Sequence, residues 1–102
     1  MATVMFRGEV KDYEAWKPVF DSLEEKRRSL GESSYRILRE VDGSHRVVIL
    51  IDYDTMEHAH MYVDSPELKE ALRRGGAQRL EIEFLAEAER RPEMQPVFSD
   101  LM

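Results

Sequence analysis

Apolar positions alternate with polar ones in four stretches of the chain and recur at helical spacing in two others. From Thr3 to Val10 the alternation predicts a strand, with Val4, Phe6 and Val10 on one face and Met5, Arg7 and Glu9 on the other. Gly8 interrupts the first face, which predicts a bulge or a close approach of another backbone. The pattern then changes period. Tyr13, Trp16, Phe20, Leu23 and Leu30 form a helical stripe, with Asp12 placed to cap its start, Glu14 in its first turn and Gly31 placed to end it. Pro18 lies inside that stripe, and an interior proline costs ~3 kcal/mol in a regular helix. Because the stripe continues across it, a kinked or two-part helix is expected. Arg27 stands where the stripe calls for an apolar residue between Leu23 and Leu30.

The second half repeats the alternation. Ser34 to Val41 reads as a strand with Tyr35, Ile37 and Arg39 on one side. Asp42-Gly43 signals a hairpin, and His45 to Tyr53 forms the third strand. Thr55 caps a short helix over Met56 to Val63. Ser65-Pro66 restarts it, Leu68, Ala71 and Leu72 form its buried side, and Gly75-Gly76 ends it. Arg79 to Glu87 is the fourth strand, Leu80, Ile82, Phe84 and Ala86 alternating with Glu81, Glu83 and Glu87, the exposed carboxylates of an edge strand. The order βαββαβ predicts a ferredoxin-like α+β fold, a four-stranded antiparallel sheet with two helices on one face. The domain is expected over residues 1–88, followed by a C-terminal tail over 89–102. The tail reads either as a frayed terminus or, from Val97, Phe98, Leu101 and Met102, as an arm docking on a partner subunit.

The third strand bears on assembly. Val47, Ile49 and Ile51 point one way while Val48 and Leu50 point the other, so both faces need cover. Two helices cover one face only, and leaving the other in water forfeits about 1.5–3 kcal/mol for each large apolar side chain. Met5, Leu38 and Leu85 extend the open patch if the register allows. A sheet-to-sheet homodimer about a two-fold axis is the expected solution. The competing one is the tail folding back over the sheet.

Composition narrows the partners. With 102 residues, the chain is one domain with a small core. Its formal net charge of −6 argues against nucleic acid or an anionic membrane, both of which need clustered cations. The one basic cluster, Lys26-Arg27-Arg28, falls near a helix end, where it complements the dipole. The absence of cysteine excludes disulfides, zinc fingers, iron–sulfur clusters and thiol nucleophiles together. The N-terminal MATVMFRGEV lacks the pattern of a signal peptide, and the longest apolar run, Val47 to Ile51, is far short of a membrane span. A cytoplasmic location is expected.

Five segments carry a resemblance: VKDYEAWKPVFD at 10–21, RRSLG at 27–31, YRILR at 35–39, VVILIDYD at 47–54 and AHMYVDSPEL at 59–68. In these the chain resembles the dimeric α+β barrel superfamily. More narrowly, it resembles the small antibiotic-biosynthesis-monooxygenase-like single-domain proteins, over residues 2 to about 88. The resemblance implies the fold and a ligand position between helices and sheet. It implies no particular reaction, because the superfamily hosts cofactor-free monooxygenases, haem-degrading enzymes, cyclases, isomerases and members of unassigned activity.

The candidate ligand-binding residues are Trp16, Phe20, Arg27, Tyr53 and Tyr62. Trp16, Phe20 and Tyr62 are apolar walls, Arg27 a charge that orients a ligand or stabilises an oxyanion, and Tyr53 a hydrogen-bond donor. The bland alternatives are core packing for the aromatics, and for Arg27 either an ion pair or snorkelling; Glu81, Glu83 and Asp52 are the partners considered. His58 and His60 point about 200° apart on a helix and cannot share a metal as an i, i+4 pair would. The expected function is binding, with or without turnover, of a small apolar or aromatic molecule, neutral or anionic, with no cofactor. The resemblance makes the reaction class a cofactor-independent oxygenation, a cyclisation or an isomerisation. The alternatives are a non-catalytic dimeric interaction module and, more remotely, a haem-binding or haem-degrading protein, for which no histidine is clearly placed as an axial ligand.

Overall fold

The computed structural model describes residues 1–75 and 77–94. Eight elements follow in order: β1 (Ala2–Glu9), α1 (Tyr13–Asp21), α2 (Glu24–Ser29), β2 (Glu32–Arg39), β3 (Arg46–Tyr53), α3 (Met56–Val63), α4 (Pro66–Gly75) and β4 (Gln78–Ala86). The strands form one antiparallel sheet in the order β2-β3-β1-β4. This is the ferredoxin-like α+β arrangement expected, each helical layer element being split into two short helices.

The first split falls at Ser22-Leu23, not at Pro18, which remains inside α1. Asp12 caps α1 by accepting a hydrogen bond from the Ala15 amide at 3.2 Å. Gly31 ends α2 at φ 97°, a left-handed conformation open to glycine without penalty. Ser65 makes the α3–α4 corner, donating to the Tyr62 carbonyl at 2.7 Å and accepting from the Leu68 amide at 3.2 Å.

Two bulges adjust the sheet. Opposite Gly8, β4 carries an extra residue, and Arg79 takes φ 54° there. A methyl on Gly8 would come within 2.9 Å of the Ala77 Cβ and 3.1 Å of the Gln78 carbonyl, so the predicted bulge and the predicted close approach are both present. The second bulge is at Ser33: Glu32 lies opposite Tyr53 while Ser34 lies opposite Asp52.

Val4, Phe6, Ile49, Ile51 and Tyr53 from the sheet meet Trp16, Phe20, Leu23, Tyr62, Leu68 and Ala71 from the helices in one core. On the opposite face Met5 pairs with Leu50 and Leu38 with Val48, and Leu85 lies on the same side. Leu38 is 46% and Leu85 39% exposed. The register therefore brings the five open-face apolar residues into one patch, next to the ion pair Arg7–Glu81. Residues 87–94 form no helix or strand. Val97, Phe98, Leu101 and Met102, on which the docking-arm reading rests, lie outside the described residues.

Candidate functional site

The site is assembled from α1, α2, the two central strands and α3. Tyr13, Trp16 and Phe20 recur at three and four residues along α1, so their rings follow one another in a row, 5.7 Å and 5.5 Å between successive centroids, the first pair tilted and the second stacked. Phe20 meets Tyr35 of β2 edge to face at 5.0 Å, and Phe6 of β1 meets Tyr62 of α3 in the same way at 6.3 Å. Between these rings lies an apolar cavity of about 50 Å³, lined among others by Trp16, Phe20, Ile49, Tyr62, Leu68 and Leu72.

Arg27 is fully buried, 0% exposed, beside this cavity but not in its lining. Its Nε donates to Glu32 at 2.6 Å, and one Nη donates at 2.7 Å to the Phe20 carbonyl at the end of α1, which also accepts from the Leu23 amide at 3.1 Å. The guanidinium carbon lies over the Phe20 ring, 3.8 Å from its centroid. The ion pair is thus real, but its acid is Glu32. Glu81 instead pairs with Arg7, and Asp52 accepts from Thr3 and Ser34 on the open face. Sequence alternation missed Glu32 because counting back from Tyr35 and Ile37 turns it outward. The Ser33 bulge turns it in again, opposite Tyr53. A carboxylate five residues after the buried cation was the available signal.

Two polar atoms are left over in this buried corner: the second Nη of Arg27, on the side of the Tyr62 hydroxyl, and the Tyr53 hydroxyl make no close hydrogen bond to another protein atom. Burial pushes the Tyr53 phenol far above its ordinary range, so it stays protonated and can donate. Burial also raises the Tyr62 phenol, against the opposing pull of Arg27. The Tyr53 and Tyr62 rings are 5.9 Å apart. Of the five residues singled out from the sequence, Trp16, Phe20 and Tyr62 line the cavity, and Arg27 and Tyr53 sit behind it.

The histidines lie elsewhere. His58 Nδ1 is 2.7 Å from Asp54, and that contact holds the Asp54 carboxyl below its usual range. His60 stacks on Phe84 at 3.8 Å, and His45 gives its carbonyl to the Val10 amide at 2.7 Å. None lines the cavity. Among the described residues no group of three or more potential metal ligands converges, and no helix is long and apolar enough to cross a membrane.

The fold defined by these elements is that of antibiotic-biosynthesis-monooxygenase-like and dimeric ferredoxin-like proteins. Among solved structures it is similar to SnoaB, a cofactor-independent oxygenase from Streptomyces nogalater, with TM-score 0.72 and 20% identity over 90% of this chain and 97% of that one. An antibiotic biosynthesis monooxygenase matches with TM-score 0.65 and 14% identity over 87% of this chain and all (100%) of its own. A dimeric ferredoxin-like protein from an uncultured marine organism matches with TM-score 0.63 and 14% identity over 91% and 100%. No family model and no curated protein matches the sequence.

Proposed function

We propose that this protein binds a small apolar or aromatic molecule between its helices and sheet, as a cytoplasmic homodimer joined through the open sheet face. The observation that carries this reading is the apolar cavity bounded by Trp16, Phe20 and Tyr62. The unpartnered donors of Arg27 and Tyr53 beside it support the same reading. Buried polar groups without partners are rare in folded proteins, and a ligand oxygen is one way to satisfy them. Because Glu32 already balances the Arg27 charge, those donors suit a neutral carbonyl or phenol oxygen, including one on which negative charge develops during a reaction. Turnover would be a cofactor-independent oxygenation, cyclisation or isomerisation; the likeness to SnoaB favours the first. The dimer reading is supported by the apolar patch of Met5, Val48, Leu50, Leu38 and Leu85 and by the dimeric neighbour of the same fold.

One observation favours a second reading, a non-catalytic dimeric module. The cavity of about 50 Å³ is well below the ~150 Å³ that accommodates one benzene. Native mass spectrometry of the purified protein separates the two. A dimer carrying a small organic mass is the result expected from ligand binding. A bare dimer that takes up no apolar probe favours the module, and a monomer removes the homodimer.

A further inference from the structure

A second concavity, of about 350 Å³, adjoins the apolar cavity on its outer side. It is lined by Glu9, Lys11, Asp12, Arg74 and Gln78 among others, and it shares two wall residues with the inner cavity, Trp16 and Val19. Neither space alone suits a substrate. The inner one is apolar but smaller than a ring, and the outer one is wide but open and lined by polar and apolar surface alike. Joined, they add an apolar pocket to a space already within the ~300–1,000 Å³ range of small-molecule sites. Between them stands the Trp16 indole, 8% exposed.

The charges of the outer space do not cancel locally. Glu9 is engaged by Arg79 at 3.3 Å, and Asp12 is held as the α1 cap. Glu70, the nearest acid to Arg74, already takes two hydrogen bonds from Arg73 at 3.0 and 2.7 Å, and Arg74 reaches it only at 4.0 Å. Lys11 is in no ion pair among the described residues. Two cations therefore line this space against one carboxylate free of an ion pair, Asp12, whereas the buried Arg27 has its own acid.

We propose that the two spaces form one ligand site with Trp16 as its movable partition. A cyclic hydrocarbon bearing an anionic tail places its ring in the inner cavity once the indole swings outward, and its tail against Lys11 and Arg74. This deepens the ligand-binding reading above and rests on it. It moves the anionic end of the ligand from Arg27 to the outer cations. Tyr13, next in the aromatic row and only half-buried, offers the displaced indole a surface to lie on.

Trp16 is the chain's one tryptophan, so its emission reports this motion directly. Cyclohexanecarboxylate, which does not absorb in the tryptophan band, is titrated into the full-length protein and followed by calorimetry and fluorescence in parallel. Saturable binding with a red shift of the emission is expected. Trp16→Ala, and Trp16→Phe should the first fail to fold, is expected to bind at least about tenfold more tightly, because the cost of populating the open state is removed. Lys11→Gln/Arg74→Gln is expected to weaken cyclohexanecarboxylate and leave cyclohexanol unchanged. Binding without an emission shift and with equal affinity in the Trp16 variants would overturn the partition, as would no binding to any of these proteins. Benzene uptake by Trp16→Ala but not by the parent protein would likewise show a fixed wall. Absence of a co-purified small molecule touches the functional reading alone and leaves the partition to these titrations.

Discussion

At the scale of single residues, the buried Arg27–Glu32 pair sets the largest penalties. Removing one partner strands the other charge in a site where neither side chain is more than 6% exposed. Arg27→Leu is therefore expected to destabilise the protein by about 3–5 kcal/mol, and Arg27→Leu/Glu32→Leu to recover most of that loss. Urea unfolding of the two variants checks this, and equal stabilities would show that the pair is not coupled. Tyr53 behaves oppositely. Its hydroxyl is buried without a partner, so Tyr53→Phe is expected to equal or exceed the parent in stability at neutral pH while losing a donor to any bound ligand. The folded-state pKa of this phenol is raised, so its contribution to stability is intact below the unfolded tyrosine value of about 10 and is lost as pH rises above it. Alkaline denaturation curves of Tyr53→Phe should accordingly be flatter than those of the parent. Tyr62, shifted the same way, leaves a residual slope.

At the scale of elements, the split of the first helical segment positions the site. A single straight helix from Tyr13 to Ser29 would not bring Arg27 under the end of its own first half. The break at Ser22-Leu23 lets Arg27 reach the Phe20 carbonyl and ring. Gly31 then reverses the chain so that Glu32 starts β2 within reach of Arg27. Its left-handed φ of 97° disfavours any side chain, and a methyl there would also push aside the exposed Asp54 carboxylate. Gly31→Ala is expected to cost more than ~1 kcal/mol, read as a lower midpoint in urea with an unchanged slope. An unchanged midpoint would mean that the turn readjusts freely. The legibility of these elements was uneven. The caps Asp12, Thr55 and Ser65 and the stop at Gly31 were readable because each is a local backbone requirement. The position of the helix break was not, since Pro18 breaks a local rule yet remains within α1.

At the scale of the whole molecule, the described residues place helices on one face of the sheet and none on the other. Met5 is only 9% exposed on that helix-free face even in a single chain, while its neighbours Leu38 and Leu85 are more open. On the homodimer reading, Leu50, opposite Met5 near the middle of the patch, is the residue whose change matters most. Leu50→Asp is expected to raise the dimer dissociation constant at least ~30-fold, as a central interface anchor does, with little effect on the monomer fold. Sedimentation velocity at several concentrations checks this. An unaltered dimer would place the contact on another surface.

By itself, the sequence determined the order and kind of the elements, the sheet's two apolar faces and the aromatic row of α1, because each follows from the period of its own residues. It also pointed to Arg27, a cation out of phase with its stripe. Tertiary structure alone decided which acid meets that cation, since one bulge at Ser33 reverses the facing of Glu32 and no local pattern encodes a bulge. It alone decided that Trp16, Phe20 and Tyr62 enclose a cavity while Arg27 and Tyr53 stand behind it. That separation depends on where two helices rest on a sheet, a matter of packing between residues far apart in the chain.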